Sequence, residues 1–461
     1  MQHAVEDPIV PLCRMAAETR YEDLPPEVVE YAKRCILDTW GVIIGGSAMD
    51  GIPQLVEHVR DMGGKPQSLI PFYGGRVPAP LAGLAIGPMS RAIDFGDVHE
   101  EAGHASEYVL ATLLAATGLR GPVSGRELIT AFVVGQEILV RIGIAFRAVT
   151  EGLPGGRSVG HAMFGCAAAV ARLLGFTLEE MRHAVGIARK RTQPHSTHIP
   201  VSLMIRVEHG FTAHDAITAC LLAKRGITGP LDQVLTGPAG YLAFAPWPTD
   251  PEALTKDLGR RWEMTATMLK PYACCKASHT TIDGLLAQMK EHRFGARDIA
   301  RMDIDEASTN WSIVCEPVER KWRPQTVPDC QFSMPYSVAT AAFDGDVFLE
   351  SYTEAARSRP EVRDLMSRIS AKEDASLPLR AARVTTHLQD GRVLSGVYPY
   401  SKGHPKNPFT DDELVAKFRK CLPYSKHPLG PATVDAMLAD LFALERVEDV
   451  AARLLEPVTP A

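Results

Sequence analysis

GHAMFGCAAAVARLLG, residues 160–175, is dense in small side chains and almost continuously apolar. Gly165, Ala167, Ala168, Ala169 and Ala171 let a helix axis approach its neighbours closely, and a helix without a polar face belongs in an interior. Such a helix needs other helices around it, so the stretch predicts a large helical domain. The sequence around it agrees. Pro25-Pro26-Glu27 opens a helix, since proline suits a first turn whose N–H groups are unpaired anyway. Val28, Tyr31, Ala32, Cys35 and Ile36 then recur at helical spacing. Ser124-Gly-Arg-Glu127, Thr177-Leu-Glu-Glu180 and Thr410-Asp-Asp-Glu413 are capping boxes that pair the amides left over at a helix start.

The texture changes after about Pro246. Residues 247–256 are polar and proline-bearing, as in a linker. Met302-Asp-Ile-Asp-Glu-Ala alternates like a half-buried strand. Arg383-Val-Thr-Thr-His-Leu, Asp390-Gly391 and Arg392-Val-Leu-Ser-Gly-Val read as a β-hairpin. Helices intervene at Ser278–Glu291 and Tyr336–Ala342. This predicts a smaller α+β domain, after which the final sixty or so residues return to helical patterning and close back onto the first domain.

At 461 residues the chain is too long for one ordinary core, so two domains are expected. Its 49 basic and 55 acidic side chains give a net charge of −6 without a clustered basic surface, which argues against a nucleic-acid partner. The longest basic cluster, Arg189-Lys190-Arg191, reads as a loop or helix end. No basic flank precedes an apolar stretch at the N-terminus, so no secretory signal is expected. No run approaches the ~20 uninterrupted apolar residues of a membrane helix; the best, Cys35–Ile44, carries Asp38. Nine scattered cysteines without a CxxC pair suit a reducing compartment. The expectation is a cytoplasmic protein with no membrane partner.

There is no phosphate-binding glycine loop, HExxH or nucleophile elbow. His195 and His198 form an HxxH without a third ligand, so no metal site is expected. What is left is chemistry that side chains perform unaided, chiefly acid–base work. Three clusters could carry it. The first is Asp94-Phe-Gly-Asp97-Val-His99-Glu-Glu-Ala-Gly-His104-Ala-Ser106, carboxylates and histidines in a glycine-broken segment; the alternative is a surface loop capping a helix that begins near Ser106. The second is Lys270-Pro-Tyr-Ala-Cys-Cys-Lys-Ala-Ser-His279, where a stiffened lysine could hold a carboxylate and a histidine starts a helix. The third is Gln331-Phe-Ser-Met-Pro-Tyr336. Its phenol either donates to a developing charge or packs with its O–H on a backbone partner.

In this order and spacing the clusters resemble the MmgE/PrpD family, which includes 2-methylcitrate dehydratase, cis-aconitate decarboxylase and iminodisuccinate epimerase. The resemblance runs through nearly the whole chain and includes Ile36-Leu-Asp-Thr-Trp-Gly41 and Gly403-His-Pro-Lys-Asn-Pro408. Asp94-Phe-Gly-Asp97 is similar to a DFDD-type motif with glycine in place of one aspartate, and His104-Ala-Ser106 to a His-Pro-Ser with alanine in place of proline. The resemblance implies a mostly α fold: a helical domain of residues 1–265 completed by 405–461, and an α+β lid of 266–404. It also implies a site in the cleft between them, a homodimer, and no metal or organic cofactor.

Carried over by position, the resemblance marks Asp94, His104, Lys270 and Tyr336 as catalytic candidates; we read His104 as the acid–base group, with Asp94 orienting it or tuning its basicity. Asp97, His99, Arg206, His161 and His279 are the substrate-binding candidates. Arg206 stands beside Ile205, where the family has a lysine; His161 is the nearest replacement for a family histidine that aligns near Gly156. The activity implied is a lyase, dehydratase or decarboxylase, acting on a small polycarboxylate next to a carboxylate. The alternatives are an epimerase using the same groups, or a non-catalytic carboxylate-binding relative.

Overall fold

The computed structural model describes residues 6–147, 160–192 and 202–460; His195, His198 and Gly156 lie outside them. Up to Ala223 the described chain forms α1 (Ile9–Glu18), α2 (Pro26–Gly46), α3 (Ile52–Met62), α4 (Ala79–Arg91), α5 (Ser106–Ala116), α6 (Gly125–Arg147), α7 (Ala162–Leu173), α8 (Leu178–Arg189) and α9 (Met204–Ala223). Pro25 caps α2, and the boxes at Ser124, Thr177 and Thr410 close as read, with each glutamate accepting from its cap residue's amide. The Arg189–Arg191 run is the end of α8. α7 is buried at every position except Arg172.

Around α5 the packing is organised. Every residue of this helix is buried, because Tyr108-Val-Leu-Ala-Thr-Leu-Leu-Ala-Ala offers no polar face. α2, α4, α6, α7 and α9 surround it. α6 is the helix whose length and apolarity would suit a bilayer, rather than Cys35–Ile44, yet it lies almost wholly inside the protein. The helix Asp411–Cys421 returns to pack on α2, as does Pro431–Phe442. All nine cysteines are buried free thiols.

Residues 247–256 hold only one short 3-10 turn, Pro251–Leu254. Beyond them α10 (His279–His292) leads into a mixed sheet of order β4-β3-β5-β6. The strands are β3 (Ile299–Glu306), β4 (Ile369–Glu373), β5 (Ala382–Leu388) and β6 (Val393–Tyr398), and the helix Met334–Asp344 packs against α10. β5 and β6 are the expected hairpin, in register Thr385↔Ser395. β4, parallel to β3, was not legible: Ile-Ser-Ala-Lys-Glu has one buried residue and sits at an edge. A two-stranded ladder, β1 (Ser68–Leu69) with β2 (Arg76–Val77), was likewise too short to read.

Two backbone links place the site. Val98 and Met268 exchange hydrogen bonds of 2.9 and 2.8 Å, stitching the 94–104 loop to the segment that carries Lys270. Leu269 N donates to Gly403 O at 3.1 Å. A Cβ at Gly403 would fall 1.9 Å from the Leu269 carbonyl, so the Gly403-His-Pro turn needs glycine for this approach.

Candidate active site

The 94–104 loop is buried against the start of α5 rather than lying on the surface. His99 and Gly103 pair through both backbone bonds, closing a tight loop. The Asp97 carboxylate accepts from Ser106 Oγ at 2.6 Å and from Ser106 N at 3.1 Å, so it caps α5. Burial pushes this carboxyl up to about 7, against the hydrogen bonds from Ser106. The Asp97 carbonyl oxygen is 2.8 Å from His104 Nδ1. A carbonyl only accepts, so Nδ1 carries the proton and the neutral ring's lone pair is on Nε2.

The Asp94 carboxylate bonds Arg91 and Lys270 rather than His104, which leaves tuning of the site's charge, and not the expected orientation of the ring, as its role. The Asp94 backbone is left-handed, φ +50°, a region aspartate tolerates. The turn brings Oδ1 onto Arg91 and within 2.7 Å of Lys270 Nζ, which also donates to the Asp94 carbonyl at 3.2 Å. Burial alone would raise this carboxyl; the charges of Arg91 and Lys270 overrule it and hold it well below the usual carboxylate range. Two buried cations thus share one carboxylate.

The carboxylate beside His104 is Glu107, in the first turn of α5 and fully buried. Its Oε2 lies 3.3 Å from His104 Nδ1 and 3.3 Å from His209 Nε2. Burial pushes Glu107 up to about 7, while Arg91 and Lys270 act against the rise. His209 stacks on Tyr108 with ring centroids 3.6 Å apart, and burial drives it far below its ordinary value. His104 and Lys270 therefore meet in one cluster, joined through Glu107, Arg91 and Asp94. The side chain of His104 is 18% exposed, against 5% or less for Arg91, Asp94, Glu107, His209 and Lys270, so it is the group that faces outward.

On the sheet-bearing side, His279 lies near Lys270 with Nε2 3.1 Å from the Cys274 carbonyl. Burial, then Lys276 and Lys270, keep it neutral. Lys276 is buried on Ser401 Oγ, and burial brings it down to about 8. Arg380 reaches across to Glu100 at 2.5 Å.

The other expected residues are placed differently. His99 turns into its own loop, where Nδ1 accepts from the Glu101 and Ala102 amides at 3.3 Å. His161 meets the Ala102 carbonyl at 2.7 Å, supporting that loop from behind. Arg206 donates to Asp50 O at 2.7 Å. Tyr336 follows the second of its two readings: fully buried, it donates its hydroxyl to the Ser351 carbonyl and does not join His104 and Lys270. Sequence reasoning missed Arg91, Glu107, His209 and Lys276. Arg91 and Glu107 carried a signal, a lone charge in an otherwise apolar helix.

The profile of the MmgE/PrpD N-terminal domain matches residues 10–252, and that of the MmgE/PrpD C-terminal domain matches 272–428. Among curated proteins, the cis-aconitate decarboxylase-like protein oryM of Aspergillus oryzae is 26% identical over 89% of both chains. A cis-aconitate decarboxylase of Aspergillus terreus is 25% identical over 88% of both. The Homo sapiens cis-aconitate decarboxylase is 25% identical over 92% of this chain and 89% of its own. With both domain profiles matched in order across most of its length, the chain belongs to the MmgE/PrpD family.

Proposed function

We propose that the chain is a lyase whose own side chains remove or return a proton next to a carboxylate of a small polycarboxylate. The observation that carries this is a single buried cluster in which an imidazole with its lone pair on Nε2 adjoins two cations that share one carboxylate. On this reading its place is the cleft that the family resemblance implies between a helical domain of 1–265 with 405–461 and a lid of 266–404. The relatives that are cis-aconitate decarboxylases favour a tricarboxylate-like acid and put decarboxylation ahead of dehydration.

A carbanion beside a carboxylate spreads its charge into that group as an enediolate, which water stabilises poorly. Fixed cations in a dry pocket lower the barrier by several kcal/mol per well-aimed group. Lys270 spends two of its three ammonium hydrogens on Asp94, leaving one for a substrate oxygen. Lys276 supplies a second positive charge from the lid. In dehydration, His104 Nε2 takes the proton, and the electron pair expels a β-hydroxyl. In decarboxylation, carbon dioxide leaves its bonding pair on carbon, and His104, which has first taken a proton from solvent at Nε2, protonates that carbon.

The test follows cis-aconitate, citrate and aspartate-like diacids by proton NMR in deuterated water with the full chain. The parent is expected to consume one of them, and His104→Ala to lose at least about 100-fold of that rate with the fold intact. Near-normal turnover in His104→Ala would remove His104 from the chemistry.

A further inference from the structure

We propose that Glu107 is the positioning carboxylate of His104, seated by Gly96 on one side and His209 on the other. The inference rests on the acid–base reading of His104 and adds the counter-charge that the reading lacks. Glu107 is fully buried, and neither carboxylate oxygen has a hydrogen-bond partner among the described residues. A protein rarely buries a carboxylate so poorly bonded; here it lies 3.3 Å from two imidazole nitrogens. The backbone has been cleared for it. A Cβ on residue 96 would fall 2.0 Å from Glu107 Oε1, so only glycine at 96 leaves the carboxylate this position. Neither His209 ring nitrogen has a hydrogen-bond partner among the described residues, and the ring is fixed face-on by Tyr108. The imidazole thus walls the carboxylate toward His104.

The step balances without a further reactant. In dehydration His104 Nε2 takes the proton: the substrate C–H bond breaks, an N–H bond forms, and the electron pair passes through the enediolate to expel the β-hydroxyl. The ring becomes an imidazolium whose Nδ1–H is held between the Asp97 carbonyl and Glu107. Glu107 supplies the opposite charge, and the proton stays on His104 until it passes to the departing hydroxyl in dehydration or, where the ring starts as the imidazolium, to the carbon that carbon dioxide has left.

Charge reaches Glu107 from α2, α4, α9, the 94–104 loop, the stitched segment and the returning helix. Arg91 ends α4, with Asp94 in the turn after it; Lys270 comes from the stitched segment and Lys417 from the returning helix 411–421. Asp38 of α2, Asp97, His104 and His209 complete the set. Burial, with Asp94, outweighs the three cations and raises the carboxyl to about 7.

The experiment needs no substrate for its first arm. The full chain is labelled with carbon-13 at histidine Cε1, and the His104 signal, identified by its absence in His104→Ala, is titrated by NMR. In Glu107→Gln, which keeps shape and loses charge, the His104 midpoint is expected to fall by about one pH unit. Gly96→Ala, which pushes the carboxylate away, should move it the same way, and Glu107→Asp should restore part of the shift. In the second arm, on the acid the parent consumes, Glu107→Gln should lower kcat about 100-fold with KM within about threefold, its acidic limb displaced to lower pH. An unchanged His104 midpoint in both Glu107→Gln and Gly96→Ala overturns the proposal, as does a rise in KM at constant kcat. A parent that consumes none of the acids overturns the lyase reading instead, and the titration still decides the role of Glu107.

Discussion

Asp94 is where charge, backbone and position depend on one another most. Its carboxylate neutralises two cations that are 5% and 2% exposed at their side chains. Removing it leaves these buried cations only Glu107 as a counter-charge, without a direct hydrogen bond to it, which costs up to about 3–5 kcal/mol. Asp94→Asn is therefore expected to lower the urea unfolding free energy by about that much at pH 7; a loss below 1 kcal/mol would mean that water already screens the pair. The sign with pH is fixed. The folded carboxyl lies below its ordinary 3.8, so the contribution is complete above about pH 4 and fades as pH falls further, and the gap between parent and variant should close in acid. Asp94, His104 and Lys270 were legible because each stands in a segment broken by glycine or stiffened by proline. Arg91 ends α4 and Glu107 is the second residue of α5; each is a lone charge in an apolar helix, but at a helix terminus that signal is shared with ordinary end charges. Tyr336 could not be decided from the sequence, since its two readings differ only in where one hydroxyl points.

For elements, the sequence is legible where local chemistry sets the boundary and silent where distant chain does. The capping boxes, Pro25-Pro26 and the Asp390-Gly391 turn are local and were read within a residue or two. β4 depends on pairing with β3 some sixty residues earlier, which no local pattern announces. α5 falls between these cases: its start was visible at Ser106, but its cap comes from Asp97, nine residues before. That assignment separates two roles for Asp97. If it caps, Asp97→Ala should lower stability by about 1–2 kcal/mol, read as a lower melting temperature, with KM for the substrate unchanged. A several-fold rise in KM without destabilisation would return Asp97 to the substrate.

Across the whole molecule, buried ionisable groups stand on both sides of the protein and pull its stability in opposite directions with pH. Glu306 of β3 is held by Thr281 and by Asn310 Nδ2 at 2.8 Å, in the sheet rather than at the site, and burial pushes it up to about 7 from an ordinary 4.5. Between those values the folded chain keeps a proton that the unfolded chain has released, so stability falls as pH rises through the window and levels off above it. His209 and His279 act the other way. Held neutral when folded, they bind protons only on unfolding below about pH 6.5, so stability falls as pH drops. The two sets flatten the overall curve, and a single melting profile cannot separate them. Glu306→Gln can, because it removes one titrating group and leaves the histidines alone. Relative to the parent, the variant is expected to gain stability steadily from pH 4.5 to 7, by up to roughly 3 kcal/mol, with no further gain above. A parent–variant difference that stays constant from pH 4.5 to 8 would show that Glu306 ionises as an ordinary carboxyl, and that its burial is relieved by water entering the sheet.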